Sequence, residues 1–250
     1  MPKRPHDQVR PISITPHFLD HPEGSALIEC GDTRVICTAT VDEKVPKWMH
    51  GSGKGWVTAG YDMLPRATNS RKGRDSHRGK INGRTQEIGR LIGRSLRSIV
   101  DMQKLGERMI TIDCDVIQAD GGTRTSAITG GYVALAIAVG ELMKRGAIKE
   151  SPLKDHVAAI SVGLVGGEPV LDLDYNLDSR ADVDLNVVMT GSGGLAEVQG
   201  TAEGRTFSRD QLNTMLDLTF GSLDDLVTIQ KMAIEAPREE VSTKVSLAHD

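Results

Sequence analysis

Apolar and polar residues alternate from Gly24 to Asp42, a stretch rich in Val, Ile and Thr. The alternation predicts two strands joined by a hairpin turn at Gly31-Asp32-Thr33. Trp56-Val57-Thr58 continues the β character to about Leu64. The period changes between Thr85 and Val100, where Ile88, Leu91, Ile92, Leu96 and Ile99 share one stripe, as a helix with one buried face requires. Gly89 and Gly93 would let another element pack close to that helix. Arg108 to Ile112 opens a further strand that runs through Asp113-Cys114-Asp115-Val116-Ile117-Gln118 to a pair of glycines. Beyond them, Ala127 to Leu142 is rich in Ala, Leu, Ile and Val without proline, which predicts a second helix stopped by Gly146.

His156 to Leu164 is the kind of apolar run that a buried strand produces. Pro169–Asp174, Ala181–Thr190 and Leu195–Gly200, joined by turns, extend it as an antiparallel meander. Ser208-Arg209-Asp210-Gln211 is a capping box, and the amphipathic pattern after it predicts one long helix to about Ile234. The charged tail after Pro237 is expected to fray. Strands and helices in this order imply an α+β or mixed-sheet α/β class. With no Pro/Ser/Gly-rich linker, residues 1–250 are expected to form one domain.

Composition changes the picture little. The 250 residues are 38% apolar, 26% charged and 3% aromatic, as in an ordinary globular protein able to bury a substantial core. No apolar run approaches the roughly 18 residues of a membrane span, and the charged opening lacks the apolar segment of a secretory leader. Cys30, Cys37 and Cys114 lie in strand-like settings, which predicts buried, reduced thiols and a cytoplasmic protein; no Cys/His spacing resembles a zinc site. Charge is more telling. The net charge is −4, yet ten cations face two acids between Arg66 and Arg97. They fall on a basic, glycine-bearing loop (Pro65–Gly83) and on the first helix, where Arg90, Arg94 and Arg97 share a face. This concentration suggests a polyanion met at one place, a solvated charged face being the plainer account.

Two constellations carry candidate chemistry. The first is Gly121-Gly122-Thr123-Arg124-Thr125-Ser126, where a strand enters a helix. The first N–H groups of that helix lack internal partners and carry the positive end of its dipole. Glycines admit an anion to this backbone, while Thr hydroxyls and the Arg124 fork add donors, so the segment is suited to phosphate. Taken alone, it also suits a plain capped helix. The second constellation is Asp172, Asp174, Asp178, Asp182 and Asp184. Strand alternation is expected to put Asp172 and Asp174 on one face and Asp182 and Asp184 on one face, with a turn bringing Asp178 to Asp184. Two nearby carboxylates can hold Mg²⁺ against phosphate oxygens or retain a proton for general-acid work; a polar hairpin is the simpler reading. Gly51-Ser52-Gly53-Lys54-Gly55 lacks the spacing of a phosphate loop, and Gly191-Ser192-Gly193-Gly194 fits a hairpin turn. Chemistry at a phosphodiester uses phosphate donors, arginines and acids together, whereas pure binding would not require the acids.

The residues resemble the ribonuclease PH family of phosphorolytic exoribonucleases, from about Gln8 to Gln230. The matching segments include Gly31–Cys37, Met63-Leu64-Pro65-Arg66-Ala67-Thr68, Gly83-Arg84-Thr85-Gln86-Glu87-Ile88, Asp113–Thr129 and Val183–Gly193. The resemblance implies the α+β fold of that family, akin to ribosomal protein S5 domain 2, with mixed sheets and packed helices. It implies a hexameric ring, a trimer of dimers, that uses inorganic phosphate to shorten RNA 3′ ends, especially of precursor tRNA. The products are nucleoside 5′-diphosphates, and the step is reversible. Phosphate binding would fall to Arg84, Gly122, Thr123 and Arg124, catalysis and Mg²⁺ to Asp178 and Asp184, and RNA contacts to Arg66, Arg71 and Arg74. Departures from the family pattern are Gly60 in place of a glutamate, Asp62 in place of a serine, and a shortened opening at His6–Pro11. A non-catalytic RNA-binding subunit of an exosome-like ring shares the fold but lacks the acids or phosphate arginines. A small-molecule kinase on a related fold would need a nucleotide-phosphate loop that is not recognisable here.

Overall fold

The alternating N-terminal half builds a five-stranded sheet from β1 (Ile12–Pro16), β2 (Gly24–Cys30), β3 (Thr33–Asp42), β4 (Trp56–Met63) and, after α1 (Gly83–Ser98) and the single turn α2 (Met102–Leu105), β5 (Met109–Gln118). The computed structural model describes residues 4–203 and 205–238. The tail assigned to fraying lies, from residue 239 on, outside them. Strand order is β1-β2-β3-β5-β4, antiparallel except for the parallel β4–β5 pair, which the α1 crossover connects. Inward residues Val35, Cys37, Ala39, Ile110, Ile112, Cys114 and Val116 bury under α1 and α3 (Thr123–Lys144), while the alternate residues Asp113 and Asp115 face outward. Sequence patterning missed β1, a five-residue strand ending in proline. The basic loop before α1 holds a short 3₁₀ turn at Asp75–Arg78.

The second sheet comprises β6 (Val157–Val165), β7 (Glu168–Leu171), β8 (Val183–Thr190) and β9 (Leu195–Ala202), wholly antiparallel, in the order β7-β6-β8-β9. It is not the simple meander expected. β6 is central, and the chain leaves β7 through α4 (Tyr175–Asp178) to return on the far side of β6. Val157 and Ala159 join the core around α3, whereas Ala158, Ile160 and Val162 pack in a second core under the C-terminal helices. Burial on both faces explains the unbroken apolar run.

α3 is therefore sandwiched between the sheets, on β2 and β3 and on β6. This location, not a membrane, accounts for an 18-residue window of mean hydropathy 1.5, of which 78% is buried within the protein. Gly130 makes the approach to the first sheet possible, since a Cβ there would sit 2.7 Å from Ile28 and 3.0 Å from the Cys37 sulfur. All three cysteines are free and buried, as expected. The capping box at Ser208 and Gln211 forms in both directions. The predicted long helix, however, breaks at Gly221–Ser222 into α5 (Arg209–Gly221) and α6 (Leu223–Glu235).

Candidate active site

The strand-to-helix junction after β5 takes the conformation its glycines permit: Gly121 and Gly122 have φ of +75° and +64°. Gly122 occupies the N-cap of α3 without any side-chain cap, so no capping side chain takes up the first N–H groups of the helix. Gly121 is also a point of close approach, because a Cβ there would overlap the Leu173 carbonyl oxygen and lie 2.9 Å from Asp174 Cα. The phosphate-type turn thus presses against the segment that leads into α4. For Gly121→Ala we expect a loss of about 2–4 kcal/mol from left-handed strain and overpacking. That corresponds to a melting midpoint lower by roughly 5–15 °C in calorimetry; a shift under about 1 °C would mean that the contact is not made.

A cleft of about 550 Å³ opens at this junction, lined by Arg84, Gly121, Gly122, Thr123 and Arg124, by the acids Asp178, Asp184 and Glu203, and by Lys72, Ser161, Tyr175 and Asn186. Arg84 lies in the first turn of α1, whose N-cap Asn82 accepts from the Arg84 backbone N–H at 3.0 Å. Thr123 and the buried Tyr61 share a hydroxyl hydrogen bond of 2.9 Å. Arg124 is oriented by a 2.6 Å bond to Gln199 Oε1 and lies 3.6 Å from Glu87, which itself accepts from Gln199 Nε2 at 2.9 Å. This triad holds one edge of the guanidinium and fixes its direction.

Asp178 ends α4 and Asp184 lies in β8, opposite Gly163 of β6. Neither forms an ion pair among the described residues. Burial pushes the Asp178 carboxyl above the usual range, with Asp184 and Glu203 adding repulsion and Arg84 and Arg124 opposing them. Burial likewise raises Asp184, reinforced by Glu203 and opposed by Arg124 and Arg84. The expected pair is therefore brought together beside the expected arginines.

The other three acids go elsewhere. β7 ends at Leu171, so no strand alternation aligns Asp172 with Asp174. Asp172 is 1% exposed and receives the Arg10 fork as well as Arg4 at 3.3 Å. Burial opposes its charge, but Arg10 and Arg4 hold its carboxyl below the usual range. Burial and the neighbouring Asp172 push the Cys30 thiol up to about 12. Asp174 caps α4 by accepting from Leu177 N at 2.9 Å. Asp182 precedes β8, its backbone tied to Leu164 and Glu203.

The arginine tract divides as well. Arg94 pairs with Glu197, with Nε 2.8 Å from Oε2, and Arg97 lies 4.6 Å over the Trp56 ring while donating to the Val57 carbonyl at 2.9 Å. These two brace α1 rather than await a polyanion. Arg66, Arg71 and Arg74 are exposed on the loop after β4 and are not part of the cleft wall, whereas Thr68 and Lys72 of the same loop are. Sequence reading counted Lys72 only within the basic tract and missed Tyr61, Gln199 and Glu203. Glu203 follows β9 directly and could have been flagged as the next acid beyond a strand that flanks Asp184. Gly60, the family departure, faces Asp113, whose Oδ1 would lie 2.6 Å from any Cβ there.

Comparison with known proteins identifies the family. Residues 8–140 match the model of the 3′ exoribonuclease family, domain 1, and residues 155–222 match domain 2 of the same family. The chain is 57% identical over 243 residues to ribonuclease PH of Moorella thermoacetica, covering 97% of this chain and 96% of the relative. Rice Rrp46 superposes with a TM-score of 0.76 at 19% identity, covering 93% of this chain and 98% of that one. A chain of the Archaeoglobus fulgidus exosome with RNA bound to the active site superposes at 0.74 and 19% identity, covering 90% of each. Two family segments in order and a relative matched over nearly the whole of both chains converge: the chain belongs to the 3′ exoribonuclease family.

Proposed function

We propose that this cleft binds inorganic phosphate on the Gly122–Arg124 side and the RNA 3′ end against Asp178 and Asp184, and transfers the terminal nucleotide to phosphate. The protein is a phosphate-dependent 3′-to-5′ exoribonuclease that trims the 3′ end of precursor tRNA and releases nucleoside 5′-diphosphates. The observation that carries the site assignment is the uncapped α3 N-terminus lining one cleft with Arg84, Arg124 and two acids that form no ion pair among the described residues. A non-catalytic exosome-like subunit would not need both halves of that arrangement.

In the forward step a phosphate oxygen bonds to the phosphorus of the last phosphodiester, the bond to the preceding 3′ oxygen breaks, and that oxygen gains a proton. Arg84, Thr123, Arg124 and the α3 N–H groups hold phosphate in line and neutralise its charge, so catalysis is chiefly positioning and electrostatics. Arg66, Arg71 and Arg74, exposed beside the cleft, steer and hold the RNA backbone. The donor set of Asp178 and Asp184 fits Mg²⁺: hard carboxylate oxygens that form no ion pair among the described residues. No trio of potential ligands converges among the described residues, so Asp178 and Asp184 are the protein groups that would hold such an ion. When bound, Mg²⁺ would supply positive charge at the scissile phosphate and the departing 3′ oxygen. Alternatively, one of the two aspartates, its carboxyl raised by its surroundings, delivers the proton to that oxygen. Chelation by EDTA separates these roles. We expect phosphorolysis to fall by at least about a hundredfold and to return with added Mg²⁺; full activity in EDTA would leave the acids to proton transfer alone.

Because a phosphoanhydride bond of comparable energy replaces the phosphodiester, the reaction runs both ways. Supplied with nucleoside diphosphates and no phosphate, the protein is expected to lengthen RNA 3′ ends, with added phosphate suppressing the synthesis. Failure to extend any primer would remove the phosphorolytic assignment. We further place the protein in the cytoplasm as a hexameric ring, a trimer of dimers, built from one domain per chain. Three buried free thiols support the first. The likeness to exosome chains and the open β4 edge favour the second, and α3, shared by both sheets' packing, favours the third.

A further inference from the structure

The N-terminal segment carries a buried cation, outside the cleft wall, that bonds the residue before the glycine turn and the corner before α4. Arg10, 8% exposed, forks onto Asp172 with Nε 2.8 Å from Oδ2 and Nη2 2.7 Å from Oδ1. Its backbone N–H donates to the same Oδ2 at 2.8 Å. Its Nη1 donates to the Asp120 carbonyl and lies 3.7 Å from the Asp120 carboxylate. Asp120 immediately precedes Gly121-Gly122, and its Oδ1 accepts from the N–H of Tyr175, the first residue of α4, at 3.3 Å. Asp172 holds a left-handed φ of +55°, unusual for a residue other than glycine, and this corner turns the chain from β7 toward α4 and Asp178.

We propose that Arg10 is a positioning residue for phosphorolysis: by bonding Asp172 and Asp120 together, it fixes the phosphate-holding turn at a set distance from Asp178. The inference rests on the site reading above. A buried ion pair is a weak source of net stability compared with apolar packing, so stability alone does not account for this cluster. What the cluster requires is a planar group with several donors at fixed angles, reaching a carboxylate and a carbonyl at once. Lysine offers the same charge on one nitrogen and cannot make the fork.

The test measures kcat and the KM values for phosphate and for RNA separately in Arg10→Lys and Asp120→Ala, well below each variant's melting midpoint. For Arg10→Lys, phosphate KM is expected to rise about tenfold and kcat to fall about tenfold, with RNA KM within about twofold. Asp120→Ala is expected to raise phosphate KM about threefold, and the double variant to be less impaired than the product of the singles, since both cut one link. If phosphate KM stays unchanged and only the melting midpoint or the amount of active protein falls, Arg10 merely holds the fold and the proposal is overturned. Should Arg10→Lys not fold, Asp120→Ala decides alone, because that carboxylate is 31% exposed and its removal empties no core position. Arg124→Ala, run alongside, separates the two levels. No change there defeats the site reading itself, whereas a raised phosphate KM there alone defeats only the role of Arg10.

Discussion

Replacing Asp184 by asparagine is expected to lower kcat about a thousandfold, roughly 4 kcal/mol of transition-state stabilisation, without raising the KM for phosphate. The substitution keeps the shape of the side chain and removes its charge. Either role assigned to the acid, holding Mg²⁺ or delivering a proton, is lost with the carboxylate. Phosphate binding should not suffer, because the lost charge repels the anion that Arg84 and Arg124 attract. The same reasoning gives an opposite sign for stability. Burial and Glu203 raise the Asp184 carboxyl in the folded protein. Its contribution is therefore most favourable below the unfolded carboxylate range and is lost as pH rises through the raised folded value. At neutral pH the ionised group costs stability, so Asp184→Asn should melt no lower than the parent protein and lose its activity while fully folded. Steady-state kinetics with a parallel melting curve checks both halves. A variant that melts lower and retains kcat per folded molecule would assign Asp184 to structure.

The second large effect is expected at Arg124. Its alanine variant should lose about a hundredfold in kcat/KM for phosphate, roughly 3 kcal/mol, with RNA affinity changed less than about twofold. The specificity of that split follows from its fixing: Gln199 and Glu87 hold one edge of the guanidinium, leaving the remainder directed at the cleft beside the α3 N-terminus. Arg124→Lys keeps a cation but not the fork, and should recover only part of the loss. Initial rates across a phosphate titration, at saturating RNA and then at limiting RNA, distinguish the two substrates. Equal losses for both would mean that Arg124 contacts RNA instead of holding phosphate.

Much of this site was legible in the residues because its chemistry is local. Gly121-Gly122-Thr123-Arg124 needs only a strand, a helix and left-handed glycines, and each announces itself over a few positions. Asp178 and Asp184 were paired correctly although the route between them was not: α4 is only four residues long, too short for any periodic signal. The same brevity hid the departure from a meander, since the central place of β6 depends on a crossover that local patterning does not encode. Asp172 and Asp174 were misassigned because alternation was carried beyond the end of β7, into a left-handed corner no sequence period describes. The arginine tract suggests a polyanion met at one place, yet Arg94 and Arg97 find Glu197 and Trp56 through tertiary packing. Gln199 and Tyr61 leave no local signal for a related reason: each sits on a strand of unremarkable pattern and meets Arg124 or Thr123 only through tertiary packing. Family resemblance supplied the roles of Arg84 and the acids; the fold supplied what orients them.

The most direct measurement is the identity of the released nucleotide. A precursor tRNA with a short labelled 3′ extension is incubated with the protein and Mg²⁺, with and without inorganic phosphate. Phosphate-dependent release of nucleoside 5′-diphosphates is the expected result, with the labelled nucleotide appearing only when phosphate is present. Release of nucleoside monophosphates without phosphate would make water the nucleophile and contradict the account at its centre.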